Sequence, residues 1–150
     1  MKDLHGTASA AVGATMDRCI ALFEAIDKYP SWHPDVVREV NVLDRHDGHP
    51  SRVQTKLHLA RGPLVKDFDL VMAVASDRTR EVKLTKVRDN ASGPELFDAT
   101  WRVQDVGSGG SRIQLELLAS LDVPRFLPVG GVGDAMAEGF VEAAARALAS

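Results

Sequence analysis

The amino-acid sequence predicts an α+β fold built in the order strand, helix, six strands, helix. Six segments between residues 36 and 121 alternate apolar and polar side chains with a period of two, which is typical of a sheet with one buried and one solvated face. Turn-forming residues separate these segments. Between residues 134 and 149 the apolar residues instead recur every four positions, as on one face of a helix. No repeat or linker divides the 150 residues, so we expect one domain, 1–150.

The N-terminal region predicts the first strand and the first helix. Residues 4–12 are small and semi-apolar and predict the strand. Thr15 is a predicted N-cap, because its hydroxyl can accept a hydrogen bond from a backbone N–H of the first helical turn. Apolar residues then recur at helical spacing, at Met16, Cys19, Ile20, Phe23 and Ile26. Tyr29–Pro30 is expected to end this helix, because proline disfavours helical geometry at the preceding residue, and residues 31–34 are expected to form a loop.

Six further strands are predicted from the alternating segments. They span residues 36–45, 52–59, 67–74, 79–87, 97–104 and 113–121. Asp47–Gly48 with Pro50 is expected to turn the chain after the first of them, and residues 89–94 are expected to form a loop before the fifth. The apolar side chains of every segment can then share one inner face of a single sheet.

The C-terminal helix is predicted over residues 134–149, after Pro124 and Pro128 interrupt the strand pattern. Asp134 is its predicted N-cap, favoured by hydrogen bonding and by the helix dipole. Its apolar face carries Met136, Phe140, Ala144 and Leu148. Small alanine side chains beside a curved sheet leave volume, which suits an apolar ligand.

Composition excludes several classes of function. The formal charge is −3 with the two signs interspersed, so neither nucleic acid nor an anionic membrane surface is an expected partner. The single cysteine, Cys19, rules out an intramolecular disulfide and is assigned to the core. His46 and His49 lie in a turn without an evident third ligand, so no metal site is predicted. Without a signal peptide or membrane-spanning run, a cytoplasmic protein with no cofactor, a monomer or homodimer, is expected.

Four stretches carry a resemblance to a known family. They are residues 23–45 (FEAIDKYPSWHPDVVREVNVLDR), 62–69, 95–103 (ELFDATWRV) and 121–124 (LDVP). Together with the order of elements, they resemble the SRPBCC/START-like superfamily, most closely its polyketide cyclase/dehydrase and coenzyme Q-binding branch. The resemblance implies a helix-grip fold, in which a curved seven-stranded antiparallel sheet wraps around a long C-terminal helix.

The resemblance also implies a cavity between the sheet and that helix. Members of the superfamily bind lipids, sterols, polyketides or quinones there, and some close aromatic rings, so the fold leaves the function open. Our first hypothesis is a domain that binds or carries an apolar small molecule without catalysis. The alternatives are a polyketide aromatase/cyclase (a dehydrase-like lyase) and an interaction module that resembles the bacterial ribosome-association toxin. The lack of a basic patch weakens the last of these.

The inner-face positions define the predicted ligand contacts. Strand parity places most of them under the C-terminal helix, and the segment after the first helix is expected at the mouth of the cavity. The candidate residues are Trp32, Thr55, Leu57, Phe68, Leu70, Met72, Leu84, Lys86, Phe97, Trp101, Leu115, Leu117, Met136 and Phe140.

Polar residues near this face are the candidates for chemistry. Trp32 can stack on a flat ligand or close the sheet edge, and His33 can act as an acid or base or be solvated. Arg38 and Lys86 share parity with inner-face valines and leucines, so each needs a partner, a ligand or a route to water. Either can stabilise an enolate or bind a carboxylate. Thr55 can offer its hydroxyl to a ligand or bond a neighbouring strand.

Overall fold

Seven antiparallel strands form one sheet in the computed structural model, which describes residues 1–88, 93–124 and 126–149. The strands are β1 (Lys2–Val12), β2 (Val37–His46), β3 (His49–Arg61), β4 (Leu64–Ser76), β5 (Glu81–Lys86), β6 (Leu96–Gly107) and β7 (Gly110–Leu121). Their spatial order is β1-β7-β6-β5-β4-β3-β2, so β1 and β2 are the two edges. The predicted α+β class and curved seven-stranded sheet are confirmed.

Three helices and one 3₁₀ turn complete the part of the chain that the structure describes. They are α1 (Met16–Glu24), the 3₁₀ turn (Ile26–Lys28), α2 (Tyr29–Trp32) and α3 (Val132–Ala149). Helix α1 ends at Glu24, before the expected end at Tyr29–Pro30, and residues 31 and 32 of the expected loop over 31–34 belong to α2. Residues 33 and 34 lie outside any helix, as expected. Proline is compatible with the first turn of a helix, where its missing N–H has no intrahelical partner. The Tyr29 hydroxyl also donates to the carbonyl of Phe23, at 2.7 Å, near the end of α1.

The start of β3 differs from expectation for a local reason. β3 begins at His49 and includes Pro50, which the sequence suggested would lie in a turn. Pro50 pairs with Arg45 beside a register shift of β2, and the pairing of β3 with β4 begins only at Arg52. Proline is tolerated at such irregular strand ends because no ladder hydrogen bond is lost. Residues 89–92 of the predicted loop before β6 lie outside the described residues.

The apolar core lies between the inner face of the sheet and the helices. Inner-face side chains such as Val53, Val82 and Ile113 are fully buried, as the alternation predicted. Cys19, on α1, is also fully buried, in agreement with its assignment to the core. Burial raises the pKa of its thiol, so it is a poor candidate nucleophile.

Helix α3 begins two residues before its predicted start, and Asp134 is not its N-cap. Asp134 lies in the first turn, where its Oδ1 accepts a hydrogen bond from the backbone N–H of Thr7, at 3.1 Å. Thr7 belongs to the edge strand β1, so this bond occupies a donor of the exposed sheet edge. At the other end of α3, the Arg18 side chain donates to the Leu148 carbonyl, at 2.8 Å.

Two glycines allow the start of α3 to touch the backbone of β1. A Cβ atom on Gly6 would overlap the carbonyl of Gly133, and a Cβ atom on Gly133 would overlap the carbonyl of His5. Neither glycine has a positive φ angle, so close approach and not backbone conformation requires them. The contact therefore sets how deeply the helix sits against the sheet.

We predict that Gly133→Ala lowers the free energy of unfolding by about 3 kcal/mol, because backbone must move to admit the methyl group. Gly139→Ala in the same helix is the control. Its Cβ would meet nothing nearer than 3.8 Å, so it should leave stability unchanged or raise it by about 1 kcal/mol. Urea unfolding measures both variants. Equal stability of the two would contradict the role of the glycine contact.

Candidate functional site

A small apolar cavity lies inside the protein between the sheet and α3. Its volume is about 30 Å³, room for one or two water molecules. The lining residues are Ile26, Tyr29, Val37, Thr55, Leu57, Met72, Leu84, Phe97, Ala99, Trp101, Leu115, Leu117 and Phe140. The position matches the one expected from strand parity, while the volume is far below the roughly 300–1,000 Å³ of ligand pockets.

The predicted contact residues separate into those that line this cavity and those that do not. Nine line it, and they are Thr55, Leu57, Met72, Leu84, Phe97, Trp101, Leu115, Leu117 and Phe140. Phe68 and Leu70 are buried elsewhere in the core. Met136 lines a separate pocket, called here the charged cleft because its lining includes Asp35, Arg38, Arg61, Glu142 and Arg146. Trp32 is half-buried beside the cavity lining, and Lys86 is buried at the end of β5.

Four lining residues escaped the sequence reasoning. Ala99 and Val37 lie on buried strand positions, and Ala99 was detectable from the alternation in β6. Val37 was not, because a register shift between Val37 and Glu39 reverses the parity at the start of β2. The same shift leaves Arg38 exposed, so its expected inner-face position is wrong. Ile26 and Tyr29 come from the segment whose helices the sequence misplaced.

An aromatic cluster forms one wall of the cavity. Phe23 and Trp101 stack with ring centroids 4.0 Å apart and planes 8° apart. Phe140 meets the edge of Trp101 at 6.5 Å, and Trp32 meets Trp101 at 6.5 Å from another side. Tyr29 lies 4.7 Å from Trp32. These rings join α1, α2, β6 and α3, so the wall is built from four separate parts of the chain.

Two buried ring nitrogens lie beside the cavity lining. They are Trp32 Nε1 and His33 Nε2, which have no partner in the described parts of the chain. An unsatisfied buried donor or acceptor costs about 1–3 kcal/mol, so each position favours a polar group that arrives from outside. Both nitrogens belong to consecutive residues at the end of α2.

His33 is held between the cavity and the charged cleft. Its ring meets the edge of Phe140, with centroids 4.5 Å apart, and only 8% of the residue is exposed. Burial lowers the pKa of the imidazole, and Arg146 lowers it further, while Asp35 opposes the shift. The imidazole therefore remains neutral near pH 7, able to act as a base or as a hydrogen-bond donor. The alternative that His33 is simply solvated does not hold.

Lys86 and Thr55 are both satisfied within the protein. The Lys86 ammonium donates to the carbonyls of Glu95 and Gly93, the latter at 3.0 Å. The lysine is 2% exposed, so it neither reaches water nor lines the cavity. The Thr55 hydroxyl donates to the Leu70 carbonyl of the neighbouring strand, at 3.1 Å, as one of its two expected roles required.

The described residues offer neither a metal cluster nor a membrane-spanning helix. No three His, Cys, Asp or Glu side chains within them come close enough together to hold a metal ion. None of the helices in residues 1–88, 93–124 and 126–149 combines the length and apolarity needed to cross a bilayer.

Comparison with known proteins supports the same fold over the whole chain. Residues 3–150 match the sequence model of the family described as polyketide cyclase/dehydrase and lipid transport. A START superfamily protein from Mycobacterium smegmatis superposes with a TM-score of 0.79 and 14% identity, covering 97% of each chain. No curated protein sequence gives a significant match.

Two further solved structures share the fold at lower similarity. The lipid transfer and protein localization domain of human StarD13 has a TM-score of 0.63 and 18% identity, covering 95% of this chain and 75% of that one. The Zhui aromatase/cyclase from Streptomyces sp. R1128 has a TM-score of 0.58 and 14% identity, covering 98% of this chain and 84% of that one. At these identities the likeness shows the fold alone.

We predict that His33 makes stability depend on pH below about 6.5. Because the folded state lowers the pKa of His33 from 6.5, the unfolded state binds more protons as the pH falls through that value. The free energy of unfolding should therefore decrease from pH 7 to pH 5, and His33→Gln should reduce that slope. His46→Gln is the control, since that side chain is 74% exposed. Urea unfolding at each pH measures the slope, and an unchanged slope in His33→Gln would refute the prediction.

Proposed function

The chain belongs to the polyketide cyclase/dehydrase and lipid transport family, and from that premise we propose that it binds an apolar small molecule between its sheet and α3. The observation that carries the proposal is the cavity enclosed by the inner sheet face and Phe140. Its exposed lining is almost entirely apolar, and its two hydroxyl-bearing members, Thr55 and Tyr29, donate those hydroxyls to the backbone carbonyls of Leu70 and Phe23. Such a lining suits a lipid, quinone or polyketide-like molecule, bound for carriage or storage.

Binding requires the cavity to expand from the closed form described above. At about 30 Å³ it admits no drug-sized molecule, so a ligand must displace side chains before it is enclosed. Helix α3 packs mainly on β1 and more lightly on α1 and α2. We therefore place the opening on the α2 side of α3, where Phe140 and His33 meet. The closed form is then the resting state, and ligand binding shifts the population to an open one.

A second candidate function, polyketide aromatase/cyclase chemistry, is favoured by His33. Its neutral imidazole lies against Phe140, at the edge of the cavity, and its Nε2 has no partner among the described residues. A neutral imidazole in this position can remove a proton from a methylene between two carbonyls and return it to a leaving hydroxyl. Arg38 is exposed and lines the cleft, so it would act on a charged end of the substrate and not in the cavity. The ribosome-association-toxin-like role stays a prediction from the sequence.

We predict that Ala99→Leu weakens the binding of apolar probes at least tenfold, because its larger side chain fills the cavity. The probes are menadione, a small quinone, and 1-decanol, titrated against the intrinsic fluorescence of Trp32 and Trp101. Ala75→Leu is the matched control, since Ala75 is exposed on β4 and lies outside the cavity. A bound probe at 100 times its Kd should stabilise the wild type by about 2.7 kcal/mol. Failure of both probes to bind the wild type, or equal binding by both variants, would refute the proposal.

We predict for the second candidate that His33→Ala lowers cyclisation about 100-fold, the smaller end of general acid–base contributions. The substrate is a synthetic β-polyketone thioester, and the aromatic product is followed by its ultraviolet absorbance. Apolar probe binding should persist in the variant, which separates loss of chemistry from loss of the cavity. Wild-type protein that leaves the thioester unchanged, or a variant as active as wild type, would eliminate His33 as the acid–base group.

A further inference from the structure

A charged cleft lies along α3, next to the apolar cavity. Its volume is about 500 Å³. It is lined by the end of α2, the start of β2, the end of β3 and one face of α3. The lining residues that matter here are His33, Asp35, Arg38, Arg61, Glu142 and Arg146. These residues lie far apart in the sequence, between positions 33 and 146, so no local sequence pattern predicts the cleft.

Positive charge predominates among the groups that face the cleft. Arg38, Arg61 and Arg146 make no ion pair in the described parts of the chain, and they stand against the two carboxylates of Asp35 and Glu142. His58 also lines the cleft, but its ring already contacts the Asp67 carboxylate, at 2.6 Å. Three guanidinium groups converging on one concave surface are the usual means of holding an oxyanion.

The buried imidazole of His33 is a second feature of the cleft, because it can donate a directional hydrogen bond. His33 lines the cleft although only 8% of the residue is exposed. Its Nε2 has no hydrogen-bond partner in the described residues. Gly139 leaves the space in front of the ring open. A methyl group at that position would lie 3.9 Å from His33 Cε1 and 3.8 Å from a terminal nitrogen of Arg61. The absence of a side chain at Gly139 thus lets one small anion approach both groups.

The cleft and the cavity are separated by a single layer of side chains. Phe140 lines the cavity, its neighbour Gly139 lines the cleft, and the rings of Phe140 and His33 are in edge contact between them. The same division occurs at the start of β2, where Val37 lines the cavity and Val36, the residue before the strand, lines the cleft. Movement of Phe140 would join the two volumes into one pocket with an apolar end and a cationic end.

We propose that the cleft binds the carboxylate head of an amphipathic ligand whose apolar chain enters the cavity past Phe140. The inference rests on the proposed function, because the chain needs the cavity. Arg61 and Arg146 hold the carboxylate oxygens together with His33 Nε2, and Arg38 adds attraction at the rim. A neutral imidazole can supply this hydrogen bond as its Nε2–H tautomer. The ligand class is therefore a medium-chain fatty acid or an acid of similar shape, and not a neutral lipid.

The test compares two twelve-carbon ligands that differ only in the head group. Dodecanoate and 1-dodecanol are titrated below their aggregation limits at pH 8, with acetate as a head group without a chain. We expect wild-type protein to bind dodecanoate at least tenfold more tightly than dodecanol, and acetate only weakly. The double variant Arg61→Gln/Arg146→Gln should bind the two long-chain ligands with nearly equal affinity. Removing two charge-assisted hydrogen bonds accounts for this loss.

Arg52→Gln is the matched control, because Arg52 is an exposed arginine of β3 that lines neither volume. It should keep the full preference for dodecanoate, and thermal unfolding of all variants checks that they fold. Equal affinity of the wild type for the two ligands would overturn the carboxylate site while leaving the proposed function intact. An undiminished preference in the double variant would also overturn it. If neither long-chain ligand binds although menadione does, the carboxylate site falls alone; if no probe binds, both proposals fall.

Discussion

The contact between the backbones of Gly6 and Gly133 is the constraint on which the arrangement of the interior depends. A helix normally keeps its neighbours at a distance set by side chains, but here neither partner has a side chain at the point of contact. The start of α3 therefore rests directly on the edge strand β1, and Asp134 adds a hydrogen bond to Thr7. This position of α3 on β1 brings Phe140, two turns farther along the helix, into edge contact with Trp101, and the contact closes the interior.

Helix α3 is held more firmly on one side than on the other. Because α3 is anchored at β1 and at its C-terminus through Arg18, while its contacts with α2 are few, its two sides are held unequally. The lightly held side carries Phe140 against His33. A small movement there opens the cavity without separating the glycine contact. Protein cores repack between discrete arrangements more readily than they deform continuously, which favours a closed and an open form over a range of intermediates.

Trp32 Nε1 and His33 Nε2 have no hydrogen-bond partner in the part of the chain that the structure describes, whereas most buried polar groups in proteins are satisfied. Trp32 is the last residue of α2 and His33 follows it, both within the segment 31–34 that the sequence placed in a loop. Packing of the two rings offsets the free-energy cost of the missing hydrogen bonds. Trp32 contacts Tyr29 and Trp101, and His33 contacts Phe140. An unsatisfied buried polar group calls for an explanation, and a ligand that supplies the missing partner is one. In this protein the two nitrogens mark the side of the interior that faces the charged cleft.

The sequence by itself determined the α+β class and the strands, because strand alternation has a period of two residues and is visible locally. It also located most of the cavity lining, such as Leu84, Phe97 and Leu115, for the same reason. Four stretches of sequence, together with the order of elements, carried the family resemblance. The sequence-based predictions were wrong at two places. The register shift at Val37 interrupted the alternation and left Arg38 exposed. Pro30, which was expected to end a helix, lies in the first turn of α2. Only the tertiary structure decided the cavity volume and the cleft of Arg38, Arg61 and Arg146. Both depend on where α3 rests on the sheet, and that position is set by a contact between residues 6 and 133, far apart in the chain.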